Sequence, residues 1–169
     1  MFLELEAKHA GWRFWVLWVL ATNLGFFPGQ AVGERLGASI AEPAASALQA
    51  GCFALAVGAM QWLVLRRHLT GIRHWITATA VGWATGAGLG AWLLLRFAPG
   101  VAPGGVVWIV AIGVLAGALV GVPQQVALAR HDARLARGWV IISAAAWGVF
   151  FPGAVSGLFL ARRLGRGRS

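Results

Sequence analysis

Five stretches without a charged residue divide this chain, and they constrain its fold more than any other feature. They cover residues 14–33, 43–65, 75–95, 106–129 and 138–161, which are 20, 23, 21, 24 and 24 residues long. About 20 residues of α-helix cross a hydrocarbon core of about 30 Å, because each residue adds about 1.5 Å. Each stretch is long enough to span a membrane as a helix, so we predict five transmembrane helices.

The composition supports a membrane protein built from helices. Apolar residues make up 59% of the chain and charged residues 11%, and the mean hydropathy is +0.75. Such values are typical of the membrane class, in which the backbone must satisfy its hydrogen bonds internally. Because no segment shows the alternation of a barrel strand, we predict an all-α integral membrane bundle forming a single membrane domain over residues 1–169.

The net charge of the chain indicates its partners. With 14 Lys and Arg against 5 Asp and Glu, the net charge is +9, and a basic chain can bind nucleic acid. The high hydropathy argues against that class of partner. We therefore expect membrane lipids as partners and no nucleic acid.

The loops differ in charge, and this difference predicts the orientation in a cell (inner) membrane. Loops 66–74 and 130–137 carry three arginines each, whereas loops 34–42 and 96–105 carry one each. With the two cations of the amino-terminal segment, eight cations lie on one side and two on the other. The positive-inside rule places the amino terminus in the cytoplasm. Five spans then place the carboxyl terminus outside, although residues 161–169 carry four more arginines.

Two passages of the sequence resemble each other. GAMQWLVLRRHLTGIRHW begins at Gly58, and GVPQQVALARHDARLARGW begins at Gly121. With one extra loop residue in the second copy, the alignment matches Gln61 with Gln124, His68 with His131, Trp75 with Trp139, Thr79 with Ser143 and Trp83 with Trp147. We predict that helices 2–3 and helices 4–5 are duplicated hairpins. Helix 1 resembles the second helix of such a hairpin without its first.

The basic loops have two interpretations. Arginines near helix ends commonly meet lipid phosphates at the interface. A specific anionic lipid or a protein partner would use the same side chains. The six candidates for headgroup or partner binding are Arg66, Arg67, Arg73, Arg130, Arg134 and Arg137.

Gln61 and Gln124 are the candidate polar residues inside the membrane. Each lies five or six residues before a basic loop, within an otherwise apolar stretch. A glutamine at such a depth more often hydrogen bonds a neighbouring helix than a substrate. We expect contacts between helices from both.

Glycines repeat at a spacing of four in three of the stretches. Residues four apart share a helix face, and small residues on that face allow a second helix to approach closely. The alternative is a flat groove for a carotenoid, a quinone or the tail of a pigment. The glycines are Gly25, Gly29 and Gly33, then Gly82, Gly86 and Gly90, and finally Gly113, Gly117 and Gly121.

Trp18, Trp83 and Trp147 are the candidates for binding a hydrophobic ligand. By position they lie near the middle of the membrane, where an indole ring can stack on a flat molecule. Tryptophans at such positions also serve as ordinary packing residues. The sequence does not identify a cofactor.

The predicted spans contain no ionisable carboxylate, lysine or histidine. This excludes the usual proton relays and paired-carboxylate arrangements from the membrane interior. The four histidines fall on the basic side with few carboxylates nearby, so we predict no metal site and no enzymatic activity.

At QWLVLRR, residues 61–67, the chain resembles a loose group of small, uncharacterised bacterial membrane proteins. They carry repeated G-x-x-Q-W-L-x-L-R-R segments, each followed by a helix that begins with tryptophan. The second copy here departs from that pattern, with Gln125 in place of Trp and Ala129 in place of Arg. The resemblance implies a membrane location but no activity.

For function we expect a non-enzymatic accessory or structural subunit of a larger membrane assembly. Packing glycines and interfacial tryptophans without ionic machinery favour this role. The alternative is a binder or carrier of a hydrophobic small molecule such as a lipid, quinone, carotenoid or pigment, and a further alternative is a small channel.

Overall fold

The computed structural model describes residues 2–149 and 152–166, with side chains described for 11–149 and 152–164. Within those ranges the regular structure is entirely helical, which confirms the all-α prediction. The helices are α1 (Phe2–Gly37), α2 (Ala44–Leu65), α3 (His74–Phe97), α4 (Val106–Ala129), α5 (Ala133–Ala136), α6 (Trp139–Gly148) and α7 (Pro152–Arg166).

Four helical segments are long and apolar enough to cross a membrane. They are Gly11–Gly37, Ala44–Leu65, His74–Phe97 and Val106–Ala129. They correspond to the first four predicted spans, with ends that differ by a few residues. The chain is therefore a small polytopic membrane protein.

The predicted single span over 138–161 is wrong, because two short helices occupy this stretch. α6 has 10 residues and α7 has 15. At about 1.5 Å per residue, α6 is about 15 Å long, which is half of a hydrocarbon core. Pro152 is the first residue of α7, a position where the missing N–H of proline costs no helical hydrogen bond.

The long helices pack as antiparallel neighbours, and glycines lie at their contacts. A Cβ at Gly25 would come within 2.6 Å of the Val57 backbone on α2, and one at Gly82 within 2.6 Å of the Val120 backbone on α4. Real Cβ contacts are essentially never below 3.0 Å. Only glycine permits such close backbone approach, which supplies van der Waals contact where lipid gives no hydrophobic drive.

The same relation holds along most of the predicted glycine faces. Gly29 and Gly33 face α2, Gly86 and Gly90 face α4, and Gly113, Gly117 and Gly121 face α6. At Gly90 the approach is looser, because the nearest atom to a Cβ would be an Ile112 side-chain carbon at 3.1 Å. The glycine faces thus contact neighbouring helices in the described structure.

α7 packs against α1 and closes the bundle into a ring in the order α1, α2, α3, α4, α6, α7. A Cβ at Gly153 would lie 3.1 Å from the side chain of Thr22, and one at Gly11 would lie 3.5 Å from the Ala161 carbonyl. The two helices are therefore antiparallel. α7 returns toward the side of the bundle on which α1 begins and runs opposite to α6.

Buried hydrogen bonds link neighbouring helices of the ring in the half of the bundle beside the basic loops. Gln61 of α2 donates to Thr22 Oγ1 at 3.1 Å and accepts from Trp75 Nε1 at 3.1 Å. Gln124 of α4 donates to Thr79 Oγ1 at 2.7 Å and accepts from Trp139 Nε1 at 2.9 Å. Each glutamine therefore links the two helices on either side of its own.

α7 carries a related contact with α1. Trp18 Nε1 donates to Ser156 Oγ at 3.0 Å, and Ser156 in turn donates to the Pro152 carbonyl. Trp18 and Trp75 have ring centroids 5.9 Å apart, and those of Trp75 and Trp139 are 5.7 Å apart. Three hydrogen-bonded tryptophans thus form the centre of a buried apolar cluster.

The close approach of α3 and α4 gives a first prediction. Gly86→Leu should lower the free energy of unfolding by about 1–3 kcal/mol or more, because its side chain must displace the Ala116 backbone. The control is Val81→Leu on the same helix, where Val81 is 65% exposed. Thermal unfolding in detergent measures both, and equal melting temperatures would contradict the packing described.

The glutamine bridges give a second prediction, tested by the single variants Gln124→Leu and Trp139→Phe and by the double variant. Gln124→Leu removes the acceptor of Trp139 and also the bond to Thr79, whereas Trp139→Phe removes only the donor to Gln124. The double variant isolates the Gln124–Trp139 term, because the loss of the Thr79 bond is common to both variants that carry Gln124→Leu. We expect a coupling energy of about 0.6–1.7 kcal/mol, the range measured between membrane helices. Additive losses of stability would show that this hydrogen bond contributes nothing.

Candidate functional site

A cavity of about 750 Å³ lies in the half of the bundle away from the basic loops. It exists because α6 and α7 are short. A Cβ at Gly148, the last residue of α6, would lie 2.6 Å from the Val114 side chain, whereas α4 begins eight residues earlier, at Val106. α1 likewise continues to Gly37, well beyond the contact of Thr22 with α7. The space left between these helices is the cavity.

The inner end of the cavity is aromatic. Phe53 packs edge to face against Trp83 and Trp147, with ring centroids 5.2 and 5.6 Å away. The Trp83 and Trp147 rings are 4.5 Å apart at 79°. Phe26 contacts Phe53 at 5.2 Å. Trp108 also lines the cavity, but toward its outer end, because it lies two residues after the start of α4. These rings provide broad, flat apolar surfaces.

Trp83 carries the most distinctive polar atom of this site. The residue is 8% exposed, and its Nε1 has no hydrogen-bond partner among the described residues. Trp18, Trp75 and Trp139 all donate to side-chain oxygens. A buried donor without an acceptor costs about 1–3 kcal/mol. Trp83 lines the cavity, so a molecule bound there can supply the missing acceptor.

The outer end of the cavity is polar. Glu42, Ser46 and Gln49 contribute to its lining there, whereas Asn23 and Gln30 line the cavity nearer the rings, because the nearby Gly25 and Gly29 contact Val57 and Phe53. The Ser46 backbone N–H donates to Glu42 Oε2 at 3.2 Å, and Gln30 Nε2 donates to Glu34 at 2.8 Å. The described lining contains one carboxylate and neither lysine nor arginine. The cavity therefore has a cluster of aromatic rings at its inner end and the polar groups of Glu42, Ser46 and Gln49 at its outer end.

Two of the three tryptophans predicted to bind a ligand line this cavity, namely Trp83 and Trp147. Trp18 lies in the other buried cluster, where it bonds to Ser156. Sequence reasoning missed Phe26, Phe53 and Trp108. Phe26 had a usable signal, because it follows Trp18 by eight residues, as Trp83 follows Trp75 and Trp147 follows Trp139.

The other predicted site residues lie elsewhere, apart from Gly113, which lines the cavity. Gln61 and Gln124 bridge helices, and the remaining glycines lie at helix contacts. All six loop arginines are exposed. The Arg66 guanidinium lies 4.9 Å from the centroid of the Trp62 ring, a cation–π contact that fixes its direction.

A smaller cavity of about 230 Å³ lies at the basic end of the ring. His68, His131 and Arg163 line it from the loop after α2, the loop after α4 and α7. Within the described part of the chain, no group of three or more His, Cys, Asp or Glu residues could hold a metal ion.

No family model, curated protein or solved structure matches this chain.

Proposed function

We propose that this protein binds a hydrophobic small molecule with a hydrogen-bonding group in the 750 Å³ cavity. The observation that carries the proposal is the Trp83 N–H, which is buried beside the cavity without an acceptor among the residues that the structure describes. Small-molecule sites typically measure about 300–1,000 Å³ and combine apolar walls with a few polar groups. The cavity has this size and this distribution of side chains.

The aromatic walls favour a ligand with a flat or stiff body. Trp83, Trp147 and Phe53 present rings at steep angles to one another, which leaves ring faces for stacking. A carbonyl or hydroxyl oxygen of the ligand would accept from Trp83 Nε1. Quinones, sterol-like molecules and oxygenated carotenoids have this chemistry.

We also propose that the bundle consists of related hairpins. The bridges at Gln61 and Gln124 support a duplication of α2–α3 as α4–α6. α7 and α1 would form a third unit, in which Ser156 occupies the position of the glutamine. Gly153, Ser156 and Leu160 follow the spacing of Gly58, Gln61 and Leu65 and of Gly121, Gln124 and Leu128. In this unit, α7 would be the first helix of the hairpin and α1 would be its second.

The reversal between α6 and α7 leads us to propose a different orientation for the tail. α7 runs antiparallel to α1, so the arginines after Ala161 would lie on the same side as the basic loops. Together with the eight cations already on that side, the four arginines of the tail bring the positive-inside count to twelve cations against two. We propose that this side faces the cytoplasm of a bacterial cell, with both ends of the chain inside.

The binding proposal is tested by mild purification from the native membrane, followed by organic extraction, absorbance and mass spectrometry. A stoichiometric organic molecule in the extract would support it. Stoichiometric protein subunits without such a molecule would instead favour the accessory role expected from the sequence. A protein without ligand or partner after mild extraction would contradict both.

Trp83→Phe provides the sharper test, because it keeps an aromatic ring and removes the N–H. Loss of a neutral hydrogen bond of about 0.5–1.5 kcal/mol should weaken ligand retention by about two- to tenfold. Any loss of stability without ligand should reflect the smaller ring alone, since this donor has no partner among the described residues. The matched control is Trp92→Phe, at a residue that is 49% exposed and outside the cavity. Equal retention by both variants would contradict a role for the Trp83 N–H.

The orientation is tested by labelling single cysteines in a Cys52→Ser background. Thr70→Cys and Arg162→Cys should react with an impermeant maleimide only after the cells are opened. Ala102→Cys should react in intact cells. All three positions are exposed. Reaction of Thr70→Cys and Arg162→Cys from opposite sides would refute the return of α7.

A further inference from the structure

We propose that the ligand enters the cavity sideways, from the bilayer leaflet on the side away from the basic loops, through a gap between α1 and α4. We further propose that it is a membrane amphiphile with an uncharged head. This inference rests on the proposed function, because it concerns the entry route and the ligand class of the same cavity.

The gap follows from the lengths of the helices. In the ring, α6 and α7 lie between α1 and α4. They do so only in the half of the bundle beside the basic loops. In the described residues, α6 ends beside Val114 and the first turn of α7 lies beside Thr22, at Gly153. Beyond those contacts α1 continues for 15 residues, to Gly37, and α4 extends back to Val106. Among the described residues, neither α6 nor α7 therefore separates α1 from α4 at that level.

Exposed apolar side chains flank this opening. Phe27 of α1 is 71% exposed and Ile109 of α4 is 41% exposed, and both also line the cavity. At this depth in a membrane such side chains contact lipid tails. The opening therefore connects the cavity with hydrocarbon, and a ligand tail can extend through it without meeting water.

The polar groups of the cavity fix the direction of the ligand. Ser46, Gln49 and Phe53 share one face of α2, and about 10 Å separates Ser46 from Phe53 along the helix axis. Glu42 lies just before α2, near the polar end of this face, whereas Gln30 follows Gly29, which contacts Phe53, and so lies nearer the rings. A ligand would place its head beside Ser46 and Gln49 and its stiff body against Trp83 and Trp147, where a second oxygen on that body would accept from Trp83 Nε1.

The charges of the cavity lining determine which kind of ligand head group it can accept. Glu42 is its one carboxylate, and no lysine or arginine of the described lining could pair with a phosphate. An anionic head would therefore lose its hydration without gaining a cationic partner. A cationic head would gain little from Glu42, which is exposed to solvent. Hydroxyl or carbonyl heads match the hydroxyl group of Ser46 and the amide group of Gln49.

The test closes the gap reversibly. Phe27→Cys and Ile109→Cys are combined in a Cys52→Ser background and bridged with a bifunctional methanethiosulfonate reagent. The probe is dehydroergosterol, a fluorescent neutral sterol, supplied from vesicles to protein in liposomes and detected by energy transfer from tryptophan. The matched control bridges Leu55→Cys on α2 to Val81→Cys on α3, both lipid-facing positions of helices that already pack together.

We expect the bridge between positions 27 and 109 to slow both uptake and release of the probe about tenfold or more, because the barrier to lateral passage rises. A reducing agent should restore the original rates, and the control bridge should leave them unchanged. Unchanged rates in a bridged protein that binds the probe would refute lateral entry but not the proposed function. Failure of the unbridged protein to bind any neutral amphiphile would refute both.

The ligand class is tested with photoactivatable cholesterol and photoactivatable phosphatidylglycerol in otherwise identical liposomes. Labelled peptides are mapped by mass spectrometry. We expect the sterol to label peptides of α2 and α4 that line the cavity, with competition by unlabelled sterol. Preferential labelling of these peptides by phosphatidylglycerol would refute an uncharged head while leaving the binding function intact.

Discussion

The bundle depends on hydrogen bonds donated by buried tryptophans to oxygens on neighbouring helices. Trp75 and Trp139 each donate to a glutamine, and Trp18 donates to a serine. In a membrane, water cannot satisfy these N–H groups, so each bond requires a particular helix at a particular depth. The bonds thereby set which helices are neighbours, while the glycine faces set how closely those helices approach.

The candidate site departs from that arrangement in one respect. In the half of the bundle away from the basic loops (the outer half), Trp83 is buried as Trp75 is in the half beside those loops (the inner half), yet its N–H has no acceptor among the described residues. The inner half is filled by six helices of the ring, and its three buried tryptophans donate to side chains of neighbouring helices. The outer half lacks α6 and α7 along part of its length, which leaves both the space and the unsatisfied donor.

The sequence predicted the first four spans well because absence of charge over 20 residues is a direct consequence of burial in hydrocarbon. The same criterion joined α6 and α7 into one span at 138–161, since no charged residue lies between Gly138 and Ala161. The glycine spacing predicted helix contacts because residues four apart lie on the same face of a helix. The cavity could not be predicted, because it results from the length of α6 and not from any local motif. Trp83 and Trp147 were identified by depth, whereas Trp18 lies at the level of Trp75, in the cluster nearer the basic loops.

The shortness of α6 and α7 also makes the molecule taper. In the described part of the chain, six helices form the cross-section toward the basic loops, and four form it toward the opposite face. The protein therefore occupies a larger area in one leaflet than in the other. A wedge of this kind fits best in a bilayer that bends around it, and an amphiphile in the cavity would restore part of the missing area. If the proposed ligand binds, occupancy of the cavity would be coupled to the curvature and lateral pressure of the surrounding membrane.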